Sequence, residues 1–582
     1  MLSEKILHTK KILRLHSETL CIIFCVRGDN MDMRNYKNLK NRAAQALFTI
    51  TALSLAITAC SPPPRVTVLR GPTDPSEAFV NHGFSRTVNT AAFEGLAYDE
   101  WSLECEPLAR RAQTLLIYMN GSDLESDTAA GTDDLKELML SGVDETSVNI
   151  VIFTGGANRW HTKAVPSNEC AVSVLRGGKI SQIATLGQRD MGNTGTLSSF
   201  ISFGLECFPS DRTSLILWDH GGGSIAGYGA DENFDMSTLT LPELEYAFEK
   251  AGLAENRLEL MGFDACLMAS VEMAVVAARY SDYLLASESV EPGDGWDYRT
   301  VSALSNGATG WEFGIAICDS FSEFYSNSRE EFTLSLVRTE DAENVMGALG
   351  LLAGAAKATL EVGGFRQLSL SRRSTKAFGG GTPLDEPCDM IDILDFTRAL
   401  EASFPEEAHL VRSALAKAVL YSVYRSDTAL GGLSVYHMSG RGDIGRALDV
   451  YKGLNMSKTY TEYLTAFAGA LRSFGAEPAP AEKPLHTRLL GGRTAMYEVS
   501  ATCDGAVYAV SVNVNGELAE LLIYRPSGIT EYEAAAGELD ELLGYRKRDG
   551  LLVQKGYDEL LPEDEIVLLF SDGGEYRKLS YF

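Results

Sequence analysis

Between residues 113 and 286 the chain alternates short unbroken apolar runs with longer segments whose apolar positions recur every three or four residues. The runs are QTLLIYM at 113–119, VNIVIFT at 148–154, SLILW at 214–218, LELMGF at 258–263 and YLLA at 283–286. An apolar run with no polar alternation marks a strand covered on both faces. Four helices are predicted between and after them. TDDLKELML at 132–140 has helical spacing and an acidic first turn, and residues 196–203 are helix-like. A third helix opens on Thr240-Leu241-Pro242-Glu243, where Thr and Glu three apart fit a capping box, and closes near Gly252. A fourth, MASVEMAVVAARY, begins near Leu267 or Met268. Strands each followed by a helix predict an α/β fold with a mainly parallel sheet flanked by helices.

The pattern changes after residue 300. A helical region is predicted from about 311 to 471, interrupted by a Gly-rich loop at 379–382 and a strand-like GLSVYHM at 432–438. GAEPAPAEKP at 475–484 has linker composition. Beyond it VYAVSVNV, Asn515-Gly516 and ELAELLIY predict a hairpin with a tight turn, the mark of a small β-rich domain.

At the other end, RNYKNLKNR from Arg34, the apolar ALFTITALSLAIT and then Ile57-Thr58-Ala59-Cys60 resemble a bacterial lipoprotein signal, cut before Cys60 and lipidated on its sulfur. As a membrane span, residues 43–59 are at the short limit and are broken by Gln45 and several Thr and Ser. Residues 1–30 precede the basic stretch, so translation is expected to start at Met31 or Met33. The predicted organisation is an upstream segment and signal (1–59), a lipidated Cys60 and proline-rich tether (60–112), an α/β domain with its helical extension (113–474), a linker (475–486) and the β-rich domain (487–582).

Charge narrows the function. The 582 residues carry a formal charge of −28, and without residues 1–59 there remain 42 basic against 75 acidic residues. Such a surface repels phosphate backbones and anionic lipids, which excludes nucleic acid as a partner and admits basic ones. The cysteines at 105, 170, 207, 266, 318, 388 and 503 form no CxxC and no zinc-spaced cluster with histidine. An odd number leaves at least one thiol unpaired or paired between molecules. Asp231-Glu232-Asn233-Phe234-Asp235 is rich in oxygen ligands but lacks the calcium-loop spacing of an EF-hand, and reads as a solvated loop.

His220 closes the third run and is followed by three glycines; Cys266 stands just past the fourth. Neighbouring parallel strands would open both residues at one sheet edge. An imidazole partner and a helix start each favour the thiolate, the nucleophilic form. The amides of Gly221 and Cys266 are candidate oxyanion donors. Taken singly, a cysteine there is equally a packing residue and the histidine a strand-end cap.

The motifs SLILWDHGGG, LMGFDACLMASVEMA and ASESVEPGDGWDY, in this order, resemble the clostripain family of cysteine peptidases, which has the caspase-like fold. LLIYMNGSDLES, VNIVIFTGGANRW and LGQRDMGNTGTLSSFI resemble the family's earlier segments, and the likeness runs from about 113 to about 470. The resemblance implies His220 as general base, Cys266 as nucleophile, and Asp264 and Asp294 as carboxylates of a pocket for an Arg or Lys before the cut. The donor fork of a guanidinium suits two carboxylates. No cofactor is required by this chemistry; some relatives need calcium, for which no ligand is named here. Relatives mature by cutting themselves after a basic residue in the loop following the histidine, yet residues 221–249 contain no Lys or Arg.

Other readings are weaker. A lipase-like hydrolase needs a G-x-S-x-G elbow, and Gly222-Gly223-Ser224-Ile225-Ala226 fails at its last position; a cysteine phosphatase needs arginine where Glu272 stands. The rival from another class is a catalytically silent surface lipoprotein that binds or adheres through a peptidase-like fold, for which Arg441-Gly442-Asp443 offers only a short motif.

Overall fold

The computed structural model describes residues 98–379, 388–439 and 443–476, together with 66–71, Arg86, Phe93 and the backbone of strands between 486 and 581. Its largest sheet has ten strands: β1 (Val66–Arg70), β2 (Arg111–Asn120), β3 (Val148–Gly155), β4 (Ala171–Arg176), β5 (Lys179–Thr185), β6 (Ser210–Trp218), β7 (Leu258–Asp264), β8 (Ser281–Ala286), β9 (Phe332–Arg338) and β10 (Val419–Arg425). Across the sheet they run β1-β10-β9-β8-β7-β6-β2-β3-β4-β5. The five apolar runs are β2, β3, β6, β7 and β8, and these pair in parallel as one central block. The flanking strands pair antiparallel.

The runs lack alternation because both faces are buried. Successive side chains of a strand point to opposite faces. Leu116 and Tyr118 of β2 join one core with Phe153, Leu217 and Phe263, while Leu115, Ile117 and Met119 join a second with Ile152, Ile216 and Leu260. Each such side chain contributes roughly 1.5–3 kcal/mol by leaving water. Helices cover the sheet: α1 (Ser122–Thr128), α2 (Ala130–Leu140), α3 (Thr194–Cys207), α4 (Leu241–Lys250), α5 (Val271–Ala277) and α6 (Gly310–Phe324) lead the series. The predicted capping box holds α4, with the Thr240 amide donating to the Glu243 carboxylate at 2.9 Å.

Three expectations need correction. The region from 311 to 471 is not wholly helical, because β9 and β10 lie within it and join the main sheet. The helix after Cys266 starts at Val271 rather than Leu267 or Met268, since Ser270 caps it by accepting from the Met273 amide. The span 60–112 is not all tether: β1 pairs with β10, Trp101 is buried, and a disulfide joins Cys105 to Cys207 at the end of α3. Asp443, the last residue of the Arg-Gly-Asp motif, caps the helix Ile444–Gly453. The signal, Cys60, and most of the linker lie outside the described residues. Five antiparallel strands from 486 to 534 carry the predicted hairpin, Val507–Val514 paired with Glu517–Arg525, and a further two-stranded hairpin ends at Tyr581.

The disulfide closes a separation of 102 residues. Loop-closure entropy on that scale is worth about 5 kcal/mol. The double variant Cys105→Ser, Cys207→Ser is therefore expected to lose about that much in urea unfolding under oxidising conditions; an unchanged midpoint would mean that the bridge does not close in solution.

Candidate active site

The site follows from strand register. In the parallel ladder Met119 pairs with Trp218 and Trp218 with Asp264, so the carboxyl ends of β2, β6 and β7 lie level. His220 and Cys266 each stand two residues past the paired Trp218 and Asp264, and Asp123 opens α1 just beyond β2. In open α/β sheets this edge is where ligands bind. The backbones touch as well: a Cβ at Gly221 would stand 1.9 Å from the Cys266 carbonyl oxygen, so only glycine permits the approach.

The loop after β6 is held on every side. Asp219 is buried, and its Oδ2 accepts from Asn120 Nδ2 and from the Ala230 amide, both at 2.5 Å. The Gly229 amide donates to the His220 carbonyl at 3.0 Å and the Gly222 amide to the Gly227 carbonyl at 2.8 Å. These bonds bridge Gly221 to Tyr228 through the residues on either side, so the Gly221 amide takes no part in them. It stays available beside Cys266.

His220 is half-exposed, and its Nε2 lies 2.7 Å from Asp123 Oδ1. A carboxylate only accepts, so Nε2 carries a proton, and in the neutral imidazole the lone pair is left on Nδ1. Asp123 was not anticipated from sequence, where it lies within LLIYMNGSDLES with no role assigned to it. The only signal was its position just past an apolar run.

Cys266 is partly buried. Its Sγ accepts from the Glu291 amide at 3.3 Å, and no hydrogen bond joins it to His220. Burial pushes its thiol above the ordinary range, with the nearby Asp264 adding to the shift. The expected acidifying influences are thus absent at rest: the helix begins four residues too late, and the imidazole is engaged with Asp123. Leu267, directly after the cysteine, has φ +66, a left-handed conformation that is costly for a branched side chain. It turns the chain so that the amides of Leu267 and Ala269 donate to the carbonyls of Ser289 and Ser287 past β8. The backbone is strained at the candidate nucleophile.

Asp264 and Asp294 do not share one surface. Asp294 is exposed on the turn after β8 and lines a cavity of about 300 Å³. Asp264 lies behind it, buried, accepting from the Tyr298 hydroxyl at 3.0 Å and packed against Gly295 and Glu291. Burial raises its carboxyl to about 6. Asp134, which accepts from Trp218 Nε1 at 2.7 Å, and Glu291 are raised further, first by burial and then by Asp264. Asp264 and Asp134 are buried and Glu291 half-buried, and all three carboxyl groups are shifted toward their protonated forms. Asp231 uses its carboxylate on the amides of Met191 and Asn233, each at 2.8 Å. Among the described residues no group of three His, Cys, Asp or Glu side chains is placed to hold a metal ion, and no helix is long and apolar enough to cross a membrane.

The sequence model of the clostripain family, peptidase C11, matches residues 117–430, more than half of the chain. Among solved structures, a secreted C11 cysteine protease from Bacteroides thetaiotaomicron with an irreversible peptide inhibitor is 18% identical, with 61% of this chain and 99% of that one covered and a TM-score of 0.44. An inactive zymogen C11 protease from Parabacteroides distasonis is 17% identical over 61% of this chain and 99% of that one, with a TM-score of 0.46. No curated protein matches.

The Asp264 carboxyl binds its proton more tightly folded, at about 6, than unfolded, at 3.8. Its contribution is therefore lost as pH rises through that window. Asp264→Asn keeps an acceptor for Tyr298 and removes the titration. Its stability relative to wild type should rise between pH 4 and pH 7, by up to about 3 kcal/mol at about 1.36 kcal/mol per unit. Urea unfolding at the two pH values measures this; a pH-independent difference would contradict the burial of the charge.

Proposed function

Because the chain belongs to the clostripain family of cysteine peptidases, we propose that it is an exported, lipid-anchored endopeptidase in which Cys266 is the nucleophile, His220 the base, and a basic residue, arginine before lysine, precedes the cut. Members of that family are cysteine-type endopeptidases, so the substrate is a protein or peptide and the reaction is peptide-bond hydrolysis. The observation that carries the assignment is the level edge of β2, β6 and β7, from which Asp123, His220 and Cys266 emerge side by side.

The steps follow from the groups present. His220 Nδ1 takes the proton of Cys266, and Sγ attacks the substrate carbonyl carbon, leaving the negative charge on its oxygen. The amides of Gly221 and Cys266 hold that oxyanion. The imidazolium, steadied by Asp123 through Nε2, gives its proton to the departing amine as the C–N bond breaks, leaving a thioester. Water, deprotonated by the same nitrogen, attacks the thioester; the carboxylic acid leaves and the thiol returns. None of these steps requires a cofactor. At rest His220 and Cys266 are not hydrogen-bonded, and substrate binding must bring them together. With no Lys or Arg in 221–249, maturation by a basic cut in that loop is closed to this chain.

Export is supported by the Cys105–Cys207 disulfide, a bond of oxidising compartments, and lipid anchoring by the sequence ending in Cys60. Asp294, exposed on its turn, supports selection of a basic side chain, and the strong acidity of the chain favours basic partners. The rival reading, a silent binding protein on the same fold, draws on the neutral resting thiol.

Fluorogenic peptides with Arg, Lys, Ala or Asp before the scissile bond, assayed with and without calcium, separate the two. Residues 61–582 are expected to cleave after Arg or Lys, and Cys266→Ala to abolish cleavage; equal turnover by the variant would eliminate the thiol mechanism, and silence of the wild type on all four peptides would favour the binding protein. Asp123→Asn is expected to lower kcat by about 10–100-fold with little change in KM, because the amide oxygen can still accept from Nε2 but no longer carries the charge that steadies the imidazolium. A rise in KM at constant kcat would assign Asp123 to substrate binding instead.

A further inference from the structure

The cavity that carries Asp294 has an aromatic side. Trp296, Phe321 and Phe324 line it together with Asp134 and Glu137. Of its two remaining carboxylates, Asp133 is paired with Lys136 and Asp297 with Arg299. Asp294 makes no hydrogen bond or ion pair among the described residues, and it is exposed. Phe324, the last residue of α6, leaves 53% of its surface open to solvent while bordering the same cavity. An aromatic ring left half-bare beside an unpaired carboxylate is a poor arrangement unless a ligand uses both.

The two are held to each other rigidly. The hydroxyl of Tyr325, the residue after Phe324, lies 3.5 Å from the carbonyl of Pro292 and 3.3 Å from that of Gly295, so it ties the end of α6 to the turn that carries Asp294. Tyr325 packs edge-on against both Phe324 and Phe321, with ring centroids 4.9 and 4.8 Å away. Glu291 links the cavity's lining to the thiol. Glu291, whose amide donates to Cys266, receives the indole N–H of the cavity residue Trp296 at 3.4 Å.

We propose that Phe324 is a specificity-determining residue of the pocket, whose ring stacks on the planar guanidinium of a substrate arginine while Asp294 takes the N–H fork. This rests on the basic preference proposed above and says what separates arginine from lysine within it. A guanidinium stacks flat on a ring and is weakly hydrated; an ammonium is a compact, strongly hydrated point charge and gains less there. Asp294 attracts both cations, whereas Phe324 selects between them.

The test compares kcat/KM for peptides identical except for Arg, Lys or citrulline before the cut, using wild type, Phe324→Leu and Phe324→Tyr. Phe324→Leu is expected to lower the Arg-to-Lys ratio about fivefold, the scale of an exposed cation–π contact, and Phe324→Tyr to retain it. Citrulline keeps the plane without the charge and should be poorly cleaved by all three. An unchanged ratio in Phe324→Leu, or equal loss on both peptides, overturns the role of Phe324 and leaves the basic preference standing. A wild type that prefers citrulline or cleaves neither basic peptide overturns the preference itself, and the proposal with it.

Discussion

The parallel register of β6 against β7 is the constraint on which the site depends. Trp218 lies opposite Asp264, so the two chains leave the sheet at one level, and the residues two steps on, His220 and Cys266, begin their loops side by side. A slip of one residue would turn every side chain of a strand to the other face. Here both faces are buried, with Ile216 in one core and Leu215 and Leu217 in the other, so a slip would disrupt both at once. The edge that carries the candidate site therefore inherits its precision from packing it never touches. Gly221 then closes the gap between the loops, because no side chain fits against the Cys266 carbonyl.

Behind that edge lies an electrostatic arrangement with two depths. Asp294 is exposed and has no partner among the described residues, so it is able to meet a cation from solvent. Asp264 and Asp134 are buried beneath it and Glu291 is half-buried; burial raises all three, and Asp264 raises the other two further. A cation arriving above them would favour their ionised forms, so occupancy of the pocket and the protonation of its floor are linked. The thiol is shifted the same way: burial and Asp264 both keep it protonated, and the Glu291 amide is the donor that eases its ionisation. The resting site is poised rather than charged.

The segment before β2 shows a different dependence. It follows a proline-rich stretch, yet β1 adds to the sheet through β10, Trp101 enters the core and Cys105 is bonded to Cys207. Bridging residues so far apart in sequence restricts the unfolded chain far more than it alters the folded one. This fits an exported protein, where the bond persists.

Much of the centre was legible from the chain alone, because a strand buried on two faces must be continuously apolar and a helix lying on it must repeat every three or four residues. That reasoning located the five parallel strands, the box that starts α4, the pairing of Val507–Val514 with Glu517–Arg525, and His220 and Cys266 at matching strand ends. It could not locate what depends on distant pairing. β9 and β10 lie among helices and become strands because the edge of β8 accepts β9 and β9 in turn accepts β10. Ser270 delays the helix after Cys266. The partner of Cys105, the carboxylate that meets His220 and the depth that separates Asp264 from Asp294 all arise between residues remote in sequence, and only the folded chain decides which of them meet.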